Sequence, residues 1–297
     1  MTGVQKFTLE NLLLGKETQL LIISRIPRLV SILVTGASLG IAGIIVQTIS
    51  SNKFVSPSTI GTMDWAKFGI MISLIFLGDK STLLKMTVAF IFALFGTMLF
   101  MKVLSKMKIK NVVMIPLIGI MLGNVVNSIT GFVAYKFDLI QNIGSWMQGN
   151  FALVVKGRYE LIYIGIPFLV LAYIYTDKFT IVGIGKDFSA NLGLNREKIT
   201  FIGLIIVSVI TASIVVTIGT IPYVGLIIPN IVSIYKGDNM KKSLPDTAIL
   251  GALFVLICDI AGRIVMYPYE VSISVIMSIV GSLIFLILIF RRYKYAN

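Results

Sequence analysis

Long apolar runs almost free of charge leave this chain few folds. Residues 200–219 and 271–290 hold no Asp, Glu, Lys or Arg. Each run has the roughly 20 residues that a helix needs to cross the hydrocarbon of a bilayer. Nine stretches read as spans: 29–49, 65–77, 83–101, 112–135, 159–176, 200–219, 222–235, 245–262 and 271–290. The second and seventh are short, and neither has the strongly polar face of a surface-lying helix. Composition agrees. The chain is 57% hydrophobic and 13% charged, about half the charge of an average soluble domain, with a mean hydropathy of +0.95. One soluble core could not bury that much apolar surface. The expectation is an all-α polytopic helical bundle, a single transmembrane domain over 1–297.

Loop charge predicts the orientation. Segments 50–67, 102–111, 177–199, 236–244 and 291–297 carry sixteen of the 26 Lys and Arg. The positive-inside rule puts these segments and the C-terminus in the cytoplasm. The run of four lysines from Lys102 to Lys110 and the group Arg291-Arg292-Tyr293-Lys294 carry most of this signal. Arg25, Arg28 and Arg263 fall on the outer side and break the bias. Nine spans with an inner C-terminus place the N-terminus outside. Either residues 12–23 assist insertion or a first span is missing. The first apolar stretch starts too late, with the wrong flanks, for a cleavable signal peptide.

Several function classes are excluded. The net charge of +13 is spread between apolar runs rather than along one stripe, which argues against nucleic-acid binding. With one cysteine and no histidine, an internal disulfide and Cys/His zinc sites are ruled out. Cys258 lies in an apolar run and reads as a small buried hydrophobe. No nucleophile–base constellation is visible, so an enzyme is not expected. A phosphate-cradling loop needs G-x-x-x-x-G-K-[ST], and Gly185-Lys186-Asp187 lacks both the spacing and the hydroxyl. If ATP drives this protein, another subunit binds it. Ionisable residues inside spans, the mark of ion-coupled carriers, are scarce.

Four features remain. Asp259 and Arg263 lie four apart on one helical face, the spacing of an internal ion pair. Gly219, Pro222, Gly225 and Pro229 fall within eleven residues, so the helix there is either kinked for packing or broken beside a pathway. Segment 177–199 is half apolar and reads as one or two short helices. Phe188 and Leu192 share a face, and Gly193 suits a helix C-terminus. That face either docks a partner or packs on its own bundle. Small residues recur, as in Gly36-Ala37-Ser38, Gly40, Gly43, Gly119 and Gly123, and let helices approach closely. Asn124 and Asn127 either join that packing or line a hydrated path.

One ordered series of motifs is specific. It runs Arg25-Ile26-Pro27-Arg28, Gly36-Ala37, Gly43, Gln47, Asn52-Lys53-Phe54-Val55-Ser56-Pro57, Trp146-Met147-Gln148-Gly149, Leu192-Gly193-Leu194 and Gly219 through Pro229. It continues through Gly237-Asp238-Asn239, Leu244-Pro245, Asp259-Ile260-Ala261-Gly262-Arg263 and Tyr269-Glu270-Val271-Ser272-Ile273-Ser274, with Gly281 beyond. Over residues 22–292 the series resembles the permease subunits of ABC importers for ferric siderophores and cobalamin. The variant around Asn52 and Met63-Asp64-Trp65 is similar to siderophore permeases of low-GC Gram-positive bacteria, the catecholate type included.

The resemblance implies a ten-helix permease of the bacterial cell membrane with both ends inside. Its first helix is not visible here, and 1–28 resembles the external linker that follows that helix. The implied partners are two ATPase subunits, an extracellular substrate-binding lipoprotein, and a second permease, identical or related. ATP and magnesium would belong to the ATPase, with no cofactor on this chain. Arg25, Arg28 and Arg263 match arginines offered to acidic residues of the binding protein. Gly185, Lys186, Phe188, Ala190, Leu192, Gly193 and Leu194 match the coupling helices that rest on the ATPase. Asn124, Asn127, Gly219, Pro222, Gly225 and Pro229 are the pathway candidates. The chain departs from the family pattern at Lys53-Phe54, Lys186, Asn230 and Ser233. A secondary transporter or channel, or the same family carrying cobalamin or haem, are the alternatives.

Overall fold

A computed structural model describes residues 21–106, 114–157 and 159–296. The region of 1–28 before residue 21, and with it most of segment 12–23, lies outside the described residues, as do Lys108, Lys110 and the first two residues of the 112–135 span. Twelve α-helices are described, with no strand among the described residues. They are α1 (Ile26–Ile49), α2 (Thr62–Leu77), α3 (Thr82–Lys106), α4 (Met114–Lys136), α5 (Ile140–Met147), α6 (Gly165–Ile174), α7 (Thr176–Ile184), α8 (Lys186–Asn191), α9 (Arg196–Ile218), α10 (Val224–Lys236), α11 (Met240–Ile264) and α12 (Ile273–Ala296). Among the described residues six helical spans, against the nine expected, are long and apolar enough to cross a membrane: α1 with the turn before it, α3, α4, α9, α11 and α12, while α2 and α10 are too short. The pair Glu160–Ile174 and Thr176–Ile184 makes a seventh only as a span bent by 60°. The straight span expected over 159–176 is therefore bent and longer, and the first residues of the expected 177–199 loop belong to it.

Two helices form the centre. In α1 and α9 the apolar windows are 72% and 78% buried, against 22% in α12. Glycine sets the spacing around α1. A Cβ on Gly36 would overlap the Gly251 carbonyl of α11, and one on Gly43 would overlap the Gly225 carbonyl of α10. Small residues there let backbones touch, as expected where packing rather than water drives association. Peripheral helices turn apolar faces outward. On α11, Ile249, Leu253, Ile257, Ile260 and Ile264 are exposed along one face, a stripe that suits lipid. Cys258, on another face of that helix, is buried.

Segment 50–67 is not a loop throughout. Helix α2 begins at Thr62, so Asp64 and Lys67 lie on a helix that packs against α4. The Lys67 amine donates to Asn127 Oδ1 at 2.7 Å, and a Cβ on Gly123 would meet the Asp64 carboxylate. Pairing and hydrogen bonding make such charges tolerable within a helical bundle.

Candidate functional site

The sequence motifs converge at three levels of the bundle. The first is the break between α9 and α10. Gly219 has φ +98°, Tyr223 has φ +69°, and α10 starts only at Val224. The short seventh span is thus a half-helix behind an interruption, with Pro222 outside it. A break frees backbone groups, and here a segment some 70 residues away meets them. Thr220 N donates to Met147 O at 2.8 Å, and Asn150 N to Ile218 O at 3.0 Å. Trp146 Nε1 donates to Val216 O at 3.1 Å. Gln148 Nε2 donates to Ser272 Oγ at 2.9 Å, and Ser274 N to Gly149 O at 3.3 Å. The Trp146–Gly149 motif thereby ties the break to the start of α12.

Within α10, Pro229 has no N–H to offer Gly225 O, four residues back. Gln47 of α1 supplies the missing donor. Its side-chain amide reaches Gly225 O at 3.4 Å and Leu226 O at 3.2 Å. Asn230 Nδ2 donates to Leu226 O and to Lys53 O, both at 2.7 Å. The broken region is held by side chains that stand in for the helical ladder, so the irregular backbone is covered by protein.

Beside the break lies a cavity of about 470 Å³. Its walls include Ser56, Ser58, Thr59, Thr220 and Ser278, with Phe54, Tyr223 and Met63. The Tyr223 and Phe54 rings each face Phe285, with centroids 6.4 and 6.1 Å away. Of the six pathway candidates, Pro222 and Gly225 line this cavity. Gly219 packs on the Gln148 backbone and Pro229 is buried within α10. Asn127 binds Lys67, and Asn124 lies on the exposed face of α4. The hydroxyl lining was not foreseen, because its members come from three separate segments.

At the end that the loop charges predict to face outward, Arg28 Nη2 meets Asp259 Oδ1 at 2.9 Å and Arg28 Nη1 meets Glu270 Oε2 at 2.7 Å. Arg263 bonds the other oxygen of Asp259, as the i, i+4 spacing predicts. Asp259 is 4% exposed, Arg28 14%, Arg263 20% and Glu270 27%. Arg25 closes the turn leading into α1, less than one helical turn before Arg28. Three arginines thus gather at this end, two of them on one buried carboxylate. The role of Glu270 was not legible, since it lies 242 residues from Arg28.

At the end that the loop charges predict to face the cytoplasm, Gly185 (φ +151°) separates α7 from α8. The short α8 closes with Gly193 N on Ala190 O and Leu194 N on Ser189 O, both 2.9 Å, and with Gly193 at φ +71°. This is a Schellman-type stop. Phe188 is 47% and Leu192 54% exposed, joined by Ile184, which the sequence reading had not singled out, at 62%. Ala190 is exposed as well, and Leu194 is half-buried. Among the described residues, then, this apolar face does not pack on its own bundle. Ser51 Oγ donates to the carbonyl of Gly183, two residues before Gly185, at 3.1 Å. Lys53, two residues on, pairs with Asp238, and Phe54 lines the cavity. Segment 51–54 therefore runs from the end of α7 to the cavity wall.

Comparison with known proteins agrees with this geometry. The model of the FecCD transport family matches residues 2–291. The chain is 58% identical over 281 residues to the petrobactin import system permease protein YclN of Bacillus subtilis, covering 95% of this chain and 89% of that protein. It is 38% identical over 274 residues to the ferric-anguibactin transport system permease protein FatD of Vibrio anguillarum, covering 92% and 87%. The fold matches a solved inward-facing structure described as a metal-chelate type ABC transporter. That match has a TM-score of 0.85 at 23% identity, over 97% of this chain and 91% of the other. The chain belongs to the FecCD transport family, as an all-α, multi-pass permease of the bacterial cell membrane.

Proposed function

We propose that this chain is the permease subunit of an ATP-driven importer that takes a ferric siderophore from an extracellular binding protein and passes it to the cytoplasm. The observation that carries the substrate class is the 58% identity, over 95% of the chain, to a permease named for petrobactin import. The geometry supports the division of labour. Arg25, Arg28 and Arg263 offer the outer cationic face to acidic residues of the binding protein, a role that suits the bidentate guanidinium. The cavity beside the α9–α10 break is a station on the pathway. Ile184, Phe188 and Leu192 form the apolar contact for an ATPase subunit, which binds ATP and magnesium, while this chain carries no cofactor. A second permease, identical or related, covers the exposed face of α4 that bears Asn124.

The test is uptake of radioactive iron as ferric petrobactin in cells deleted for this permease and complemented with it. Uptake should need this chain and stop when cellular ATP is depleted. Uptake that persists without ATP but follows an ion gradient would instead favour a secondary carrier. Restored uptake of cobalamin or haem, but of no ferric siderophore, would overturn the substrate assignment.

A further inference from the structure

Within the outer arginine cluster, the four residues Arg28, Arg263, Asp259 and Glu270 are charge-compensated, with Arg25 outside that balance. Arg28 and Arg263 bring two positive charges, and Asp259 and Glu270 bring two negative ones. The two carboxylates are not equivalent. Asp259 is sealed at 4% exposure and holds one guanidinium on each oxygen. Glu270 stands at the rim, 27% exposed, and among the described residues bonds the Nη1 edge of Arg28. Its segment is tied to the end of α11 by Val271 N to Gly262 O at 2.9 Å, so the backbone stays in place if the side chain leaves. A buried, doubly bonded carboxylate is costly to displace. A rim-exposed ion pair is worth little and exchanges readily.

We propose that Glu270 is a built-in competitor for the binding protein: its carboxylate holds the Arg28 donor that a partner carboxylate takes on docking, while Asp259 keeps Arg28 and Arg263 side by side. This rests on the reading of the arginines as the docking face. Docking is then a carboxylate exchange at Arg28 Nη1. The outgoing Glu270 side chain turns to solvent as the incoming one arrives. The exchange lowers the resting attraction between the two proteins, which favours turnover over a permanent complex. Asp259 is a positioning residue in this scheme.

The experiment measures binding kinetics of the purified binding protein on the assembled transporter in lipid nanodiscs, for wild type, Glu270→Gln, Glu270→Ala and Arg28→Glu. Removing the rim charge leaves the four-residue cluster with a net positive charge. Both Glu270 variants should bind about 3- to 10-fold tighter, mainly through faster association and with a steeper salt dependence. Arg28→Glu should abolish binding. If it does, while both Glu270 variants bind no better than wild type, Glu270 is no competitor and the inference falls, with the docking face intact. If Arg28→Glu binds like wild type, the docking reading itself is wrong and the inference goes with it.

Discussion

Gln47 on α1 gives its side-chain amide to the Gly225 carbonyl, the acceptor that Pro229 leaves without a helical donor. Both groups are buried, so the bond replaces a missing part of the α10 ladder. Replacing Gln47 with Leu should cost about 1–3 kcal/mol, the penalty for leaving a buried polar group unmet. Pro229→Ala restores the backbone N–H, so the same Gln47 substitution should cost less in that background. Thermal unfolding of the four proteins in detergent gives the double-mutant cycle, and a coupling below about 0.5 kcal/mol would contradict the assignment.

Glycine contact predicts a sharp contrast. Gly43→Ala should deplete folded protein, because the added methyl meets the backbone carbonyl of Gly225, which cannot rotate away. Overpacking of this kind costs about 1–3 kcal/mol or more. Gly144→Ala on α5 has open space around it and should be silent. Yield of monodisperse protein after detergent extraction distinguishes the two.

Phe188→Ala with Leu192→Ser should reduce copurification of the ATPase subunit at least tenfold while leaving the melting temperature within a few degrees. Both side chains are half exposed, so little native packing is lost. A matching fall in melting temperature would place these residues in the permease's own core instead.

Arg28→Ala should act on stability and docking together. It strips one partner from the buried Asp259 carboxylate, at a cost of about 1–3 kcal/mol. The variant Arg28→Lys keeps a cation beside Asp259 but cannot bond two carboxylates through one planar fork, so it should regain part of the stability and little of the docking. Thermal unfolding and binding-protein affinity, measured on the same samples, separate the two effects.

The linear pattern was enough for much of this. Runs near 20 apolar residues demand helices in lipid, because no other backbone can satisfy its own polar groups there. The Asp259–Arg263 pair, the stop at Gly193 and the break after Gly219 follow from local rules of spacing and φ, and the structure shows each of them. The bend at Tyr175 is not legible because Asp177-Lys178 reads as the end of a span and the start of a loop, and no proline stands at that point. Lys67 was misplaced in a loop because its compensating partner, Asn127, is 60 residues away.

Local chemistry therefore accounts for the long apolar helices and for stops such as Gly193 and Gly219. Long-range folding settled which motifs meet. The Trp146–Gly149 segment against the α9–α10 break, Gln47 against Gly225, and Glu270 against Arg28 all join residues at least 70 apart. A hydrogen bond or ion pair depends on distance and direction in space. Composition and periodicity carry neither between elements, so those partnerships became visible only once the helices were packed.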